Sequence, residues 1–501
     1  MSLSKKIAKN TLINGIDLSV SILFGFLVVP ILLGRLGEEV FGIYSLIVVF
    51  SVGGFLSFFD LGLEGALVKF LAKYDGLKNY KSFSKYFWNG LVLYTIIGVA
   101  IYTLLFVTFY LTEFFPFDIS EPLIYLSRNV LMVYIYQFPF QFLSLGLRAT
   151  LTSVHKFAAL KTINVIYVGA NFLLIYFQFQ SENDFLQYIY YFNSLFILKC
   201  LIEFVVSVRI IPSNLRFQIS FQRSVLKELF SFAKYLFLSK LVGFVYNFTD
   251  KLIISFFMPI AYLSKFNILV KLPNLMTSIS SVLNSTIVPI TSNLSAAKDD
   301  NALKSLFIKG TKYKMMIIIP FVIVSIFAAD QFIRLWIGEE YTNLALLSII
   351  LLIQFLFSQF TSFGSTMVVG SGYVKEVLPY SIFGSIINIV VSLSLLSRLG
   401  LLSLVLGTTI SHAVIFLPYT LKIMSMYNIS KREFWIEIRK PLLSFILFAL
   451  LCIPIKSFFD PGNFFMLGVE MATLLFFYFL IALFFVLSKR DRNRVRGIMK
   501  I

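Results

Sequence analysis

Apolar blocks of about twenty residues, parted by short polar stretches, recur along the whole chain and constrain its fold more than any motif does. At about 1.5 Å rise per residue, one such block crosses a bilayer as a helix. Fourteen spans are expected, near 11–33, 41–67, 86–111, 122–147, 158–179, 186–208, 231–256, 265–290, 315–337, 343–368, 377–397, 402–424, 441–458 and 463–487. No connection between them is long enough for a soluble domain. A soluble chain would carry about a quarter charged residues, and this one carries 14%. The expected fold is therefore an all-α polytopic membrane protein with about 14 transmembrane helices.

Basic residues gather in alternate connections. Lys69, Lys73, Lys78, Lys81 and Lys85 fill the second, Arg209, Arg216, Arg223 and Lys227 the sixth, and Lys298, Lys304, Lys309, Lys312 and Lys314 the eighth. The odd-numbered connections hold Glu38, Glu39, Glu113, Asp118, Glu339 and Glu340 with few cations. Both termini are thus expected on the cytoplasmic side, with an even number of spans. The net charge of +18 would point to nucleic acid in a soluble domain. Here it records the charge asymmetry, and no nucleic-acid partner is expected. The N-terminus has a basic start without a small-residue cleavage site, so the first span is expected to be retained. Cys200 and Cys452 lie inside apolar blocks, which predicts no disulfide framework.

A weak internal repeat divides the chain. FGIYSLIVV from Phe41 aligns with LSKFNILVK from Leu263, each at the corresponding junction of a half. The expected organisation is an N-lobe over 1–215 (helices 1–6) and a C-lobe over 216–428 (helices 7–12). Two appended helices and a basic tail fill 429–501. Repeats of this kind place a substrate between the halves and allow alternating access.

No P-loop, dinucleotide fingerprint or paired metal-ligand motif is present, and the only histidines are His155 and His412. Neither an enzyme nor a cofactor or metal site is expected. The informative residues are ionisable ones inside spans, which are costly unless they face protein or water. Asp60 and Glu64, four apart, are expected on one helical face, as are Lys240, Asn247 and Lys251. Asn14 and Asp17 belong to a polar stripe in the first span, and Lys271 and Asn274 to one in the eighth. Asn164 and Asn171 repeat every seven residues in the fifth. The serines in such stripes read as helix-packing glue, whereas the charges do not. Lys199 and Glu203 either neutralise each other or face a cavity, and Arg128 either faces the cavity or snorkels outward. Asp250 points to a different face from Lys251. Lys265 reads as ordinary surface, His412 as a satisfied core histidine, and Glu470 has no assigned role. Interior cations favour an anionic ligand such as a phosphate or diphosphate, with Arg128, Lys240, Lys251 and Lys271 as the candidate cavity cations. Pro273 offers a bend beside Lys271.

FGIYSL followed by FFDLGLEGALVKFLAKY resembles the second-span signature of Wzx-type bacterial polysaccharide flippases. TDKLIISFFMP and FNILVKLPNLMTSISSVLNSTIVP resemble the corresponding second-half segments. The latter is also similar to the KLPNL-like helix of lipid II flippases, within the same multidrug/oligosaccharidyl-lipid/polysaccharide (MOP) exporter superfamily. The resemblance implies two six-helix lobes in a MOP/MATE-like fold around a central cavity. It also implies movement of an undecaprenyl-diphosphate-linked oligosaccharide, such as an O-antigen unit, across the bacterial inner membrane. By matching position, Asp60 falls in the DLGL motif, Asp250 and Lys251 in the DK motif, and Lys271 in the KLPNL motif. A polysaccharide polymerase and a chain-length regulator are the protein partners implied, beside membrane lipids. Asp17, Asp60 and Glu64 are the candidates to carry a coupling H⁺ or Na⁺. Two alternatives stand beside this reading. A MATE-like organic-cation antiporter would need an acidic, aromatic cavity, and a polysaccharide polymerase or ligase would need a sizeable outer loop.

Overall fold

The computed structural model of the chain describes residues 3–51, 53–111, 117–181, 184–216, 221–285, 287–458 and 461–487. These residues form helices throughout and divide into two compact units, Met1–Lys265 and Phe266–Ile501.

Unit 1 contains α1 (Leu3–Val49), a short 3-10 turn (Phe55–Asp60), α2 (Leu63–Gly76), α3 (Tyr80–Leu111) and α4 (Glu121–Ile135). It continues through α5 (Phe138–Ser153), α6 (Phe157–Gln178), α7 (Phe185–Val208) and α8 (Arg223–Phe257). Here α1 packs on α6, α3 on α5, and α2 on both α5 and α8. Thus α8, which opens the second half of the expected repeat, packs within unit 1. Next, α9 (Ala261–Leu269) carries the chain across the division.

Unit 2 contains α10 (Lys271–Ser285), α11 (Ile287–Ala296), α12 (Asp300–Ile337), α13 (Leu344–Ser371), α14 (Val374–Leu399), α15 (Leu401–Met426), α16 (Lys431–Phe458) and α17 (Phe464–Ile481). Helix starts follow local chemistry. Asp299 accepts from the Ala302 amide and Asn463 from the Met466 amide, each satisfying a donor left free at a helix N-terminus. One core joins Phe307, Phe363, Met367, Tyr419 and Ile423. A second joins Met315, Phe448, Cys452 and Tyr478, seating α16 and α17 on α12.

Ten helices are long and apolar enough to cross a bilayer, and two bent helix pairs raise this to twelve, among the described residues. The chain is a multi-pass membrane protein. The two expected spans outside this set are the second and the seventh. The seventh lies in α8, where the side chains of most residues between 235 and 247 lie outside the described ones. The expected span over 41–67 is not one helix. Instead α1 runs through the expected first connection, interrupted only at Gly37 (φ 72°, ψ 177°), and ends at Val49. The chain then turns through Gly53–Gly54, and Leu61 and Gly62 both adopt left-handed backbone before α2 begins. At Gly62 (φ 78°) any side chain would be strained.

Two further spans bend. The fourth is α4 plus α5, at 40° around Tyr136–Gln137, where Pro139 sits in the first turn of α5. The eighth bends 46° between α9 and α10. Pro273 has no amide to offer the Leu269 carbonyl four residues back, which puts the break at Val270.

Candidate functional site

The α4–α5 bend shapes a cavity of about 300 Å³ inside unit 1. Its walls come from α1 (Tyr44, Ile47, Val48), the following turn (Ser51, Gly53), α4 and α5, α6 (Tyr167, Asn171) and α7 (Phe192, Phe196, Lys199). The α4–α5 wall is Tyr134, Gln137, Gln141, Ser144, Leu145 and Arg148. Gln137 lies at the bend, and the Gln141 amide donates to both Gln137 Oε1 (2.6 Å) and Tyr134 Oη (3.0 Å). That bonding fixes the wall's orientation. Opposite, Tyr188 donates to Asn171 Oδ1 at 3.0 Å, holding that amide from behind.

Two cations line the cavity. Lys199 Nζ lies 4.8 Å from the Tyr167 ring centroid and 5.2 Å from that of Phe196, a cation–π seat. Its carboxylate neighbour is Glu203, one turn along α7 at 3.8 Å, which is fully buried and accepts from Ser144 at 2.5 Å. This is the pairing the i, i+4 spacing predicts, and Lys199 also faces the cavity, so both readings of that pair apply to one lysine. Arg148 lies 3.9 Å from Glu64, behind the cavity rim. No carboxylate belongs to the lining.

The residues singled out from sequence fall elsewhere. Asp17 is buried and clamped by Lys161 Nζ and Asn164 Nδ2, both at 2.7 Å. Asp60 and Glu64 do not share a continuous helical face, because Leu61 and Gly62 break the helix between them. Asp60 is instead a buried cap: Oδ1 accepts from the Glu64 amide (3.0 Å) and from the Tyr94 hydroxyl (2.6 Å). Arg128 donates to the Phe109 carbonyl (2.8 Å), satisfying the C-terminal end of α3, and does not line this cavity. Asp250 is buried and Lys251 half-buried on α8. Lys271, half-buried, is the first residue of α10, and Asn274 is exposed. The side chains of Asn14, Lys240 and Asn247 lie outside the described ones. Lys265 pairs with Glu38 at 3.1 Å. His412 Nδ1 lies 3.0 Å from the Thr408 carbonyl one turn back.

What the sequence reading missed was Gln137, Gln141, Ser144 and Arg148. They step by four, three and four along α5, so the same helical periodicity marks them. Pro139 inside the stripe hid it, since a proline there reads as a helix interruption.

A bundle of bilayer-length helices with a polar, cationic cavity inside one unit defines the class: a multi-pass membrane protein with the MOP-superfamily fold. The chain belongs to the polysaccharide biosynthesis protein family, whose model matches residues 32–346. The structure is similar to the inward-facing conformation of a multidrug resistance MATE family transporter of the MOP superfamily. The TM-score there is 0.60 at 14% identity, covering 84% of this chain and 94% of that one. It is also similar to a MOP superfamily transporter from Pyrococcus furiosus, reported under the words "reverse polarity of binding pocket suggests different function". That match has a TM-score of 0.53 at 13% identity and covers 84% and 95% of the two chains. At these identities the likeness is one of fold. An uncharacterized membrane protein of Methanocaldococcus jannaschii is 18% identical over 258 residues, 51% of each chain. The chain therefore matches about half the length of that curated relative.

Proposed function

We propose that the protein is a flippase that carries an undecaprenyl-diphosphate-linked oligosaccharide, an O-antigen or related surface-polysaccharide unit. Movement is from the cytoplasmic to the periplasmic leaflet of a bacterial inner membrane, by alternating access, with both termini cytoplasmic. The observation that carries this reading is the cavity lining: Arg148 and Lys199 present positive charge, and their carboxylate partners Glu64 and Glu203 are not among the lining residues. A glycan offers hydroxyls and apolar C–H faces, which suit amides and tyrosine rings, while its diphosphate suits fixed cations. Lys acts as a point charge there and Arg as a fork.

The alternative, an organic-cation antiporter, shares the fold and differs in the charge it must bind. A cationic drug entering this cavity would meet two like charges in the lining, with Glu64 and Glu203 set outside it. The reading includes coupling to H⁺ or Na⁺. In its favour, Glu64 has 29% of its side chain exposed and is held loosely by the cavity residue Arg148. A polysaccharide polymerase and a chain-length regulator are the protein partners proposed.

Binding to purified protein in detergent tests the reading. A lipid-diphosphate oligosaccharide is expected to bind wild type and to bind Arg148→Ala and Lys199→Met at least tenfold more weakly. Tetraphenylphosphonium is not expected to compete. Tight binding of that cation, with none of the glycolipid, would overturn the reading in favour of the antiporter.

A further inference from the structure

Unit 2 buries two lysines two residues apart on α12, and they meet different surroundings. Lys312 is 2.7 Å from the Glu437 carboxylate on α16. Lys314 is only 4% exposed, on the other side of the helix, and has no carboxylate within ion-pair distance among the described residues. Among the described residues its one polar contact is Ser362 Oγ on α13, at 2.7 Å. Burying an ammonium without a counter-charge is costly, so whatever stays there must be compensated.

The groups around it are donors. Ser362 Oγ accepts from both Lys314 and Asn284 Nδ2 (3.0 Å), leaving its own hydrogen for a third partner. Thr311, one turn before Lys314 and fully buried, has no partner for its hydroxyl. An ammonium has three donors, of which one is used, and the Asn284 amide keeps one N–H. Against these donors stand fewer unfilled acceptors, Asn284 Oδ1 and the Thr311 hydroxyl oxygen. An excess of donors around an uncompensated positive charge is the complement of an anion. Asn284 and Ser362 are half-buried, so the cluster is open on their side.

We propose that Lys314, Thr311, Ser362 and Asn284 form a binding site for a small inorganic anion of chloride size, at the junction of α10, α12 and α13. The anion neutralises Lys314 and ties the three helices together. This site is independent of the unit 1 cavity.

Thermal unfolding of purified full-length protein, with chloride titrated against gluconate at constant ionic strength, tests the proposal. Lys314→Met and Thr311→Val are the variants. Wild type is expected to gain several degrees in midpoint, saturating with chloride. Lys314→Met is expected to fold and to lose that chloride dependence, since an apolar replacement needs no counter-ion. Thr311→Val is expected to need a severalfold higher chloride concentration. Bromide in crystals is expected to give an anomalous peak beside Lys314 Nζ. The same chloride response in wild type and Lys314→Met would overturn the proposal, as would no response in either, or a bromide peak absent from that position.

Discussion

Asp60 shows how an acid inside an apolar stretch can serve the backbone. It is 2% exposed, caps the first turn of α2 through the Glu64 amide and takes the Tyr94 hydroxyl. Asp60→Ala removes a cap and leaves a buried hydroxyl without its partner, which together cost about 2 kcal/mol. The expected result is a lower unfolding midpoint in detergent, with Tyr94→Phe losing less. Asp17 makes a second test. Lys161→Met strands a buried carboxylate, and because Lys161 has 35% of its side chain exposed the expected loss is only about 1–3 kcal/mol. The double variant Asp17→Asn/Lys161→Met is expected to lose less than the two singles summed, and an additive result would mean that the pair is not coupled. The sequence marked both acids as interior and costly, which they are. It could not say which partner each finds, because Tyr94, Lys161 and Asn164 lie 34, 144 and 147 residues away.

At the scale of elements, periodicity located most helices and failed where glycine or proline interrupts an apolar run. The stretch over 41–67 reads as one span by hydropathy, yet Gly53, Gly54 and Gly62 divide it. In the fourth span Pro139 marks a bend whose corner supplies the buried Gln137 to the cavity. Helix α3 crosses that bend closely: a Cβ added at Gly98 would lie 2.7 Å from Pro139 Cα. Backbone cannot yield as a flexible side chain can, so Gly98→Ala is expected to cost about 1–3 kcal/mol. Gly34→Ala in α1 meets nothing within 4 Å and is expected to be neutral or stabilising by up to about 1 kcal/mol. Unfolding midpoints of the two variants compared side by side check this, and equal losses would contradict the close approach. Arg128→Met belongs here too. Its contact with the Phe109 carbonyl predicts a modest loss of about 0.5–1.5 kcal/mol at the end of α3, with glycolipid binding unchanged.

For the whole molecule, charge asymmetry and block length were enough to reach a multi-pass helical protein, and the family match and the fold agree with that reading. The cavity was less legible. Its lining is drawn from α1, α4, α5, α6 and α7, and only Lys199 among its charges stood out in sequence as an interior residue. Arg148 directly follows an apolar block, where hydropathy alone places a cation at a span's end, and yet it belongs to the cavity lining. The central claim is that this cationic, acid-free lining serves transport of an anionic glycolipid. Its most direct test is flipping of a fluorescent undecaprenyl-diphosphate oligosaccharide in proteoliposomes, comparing wild type with Lys199→Met and Arg148→Ala at matched folded content. The expected result is transport by wild type and at least a tenfold lower rate in each variant. Unimpaired flipping by both variants would take the cavity out of the mechanism, and absence of flipping alongside ion-driven export of an organic cation would contradict the flippase reading itself.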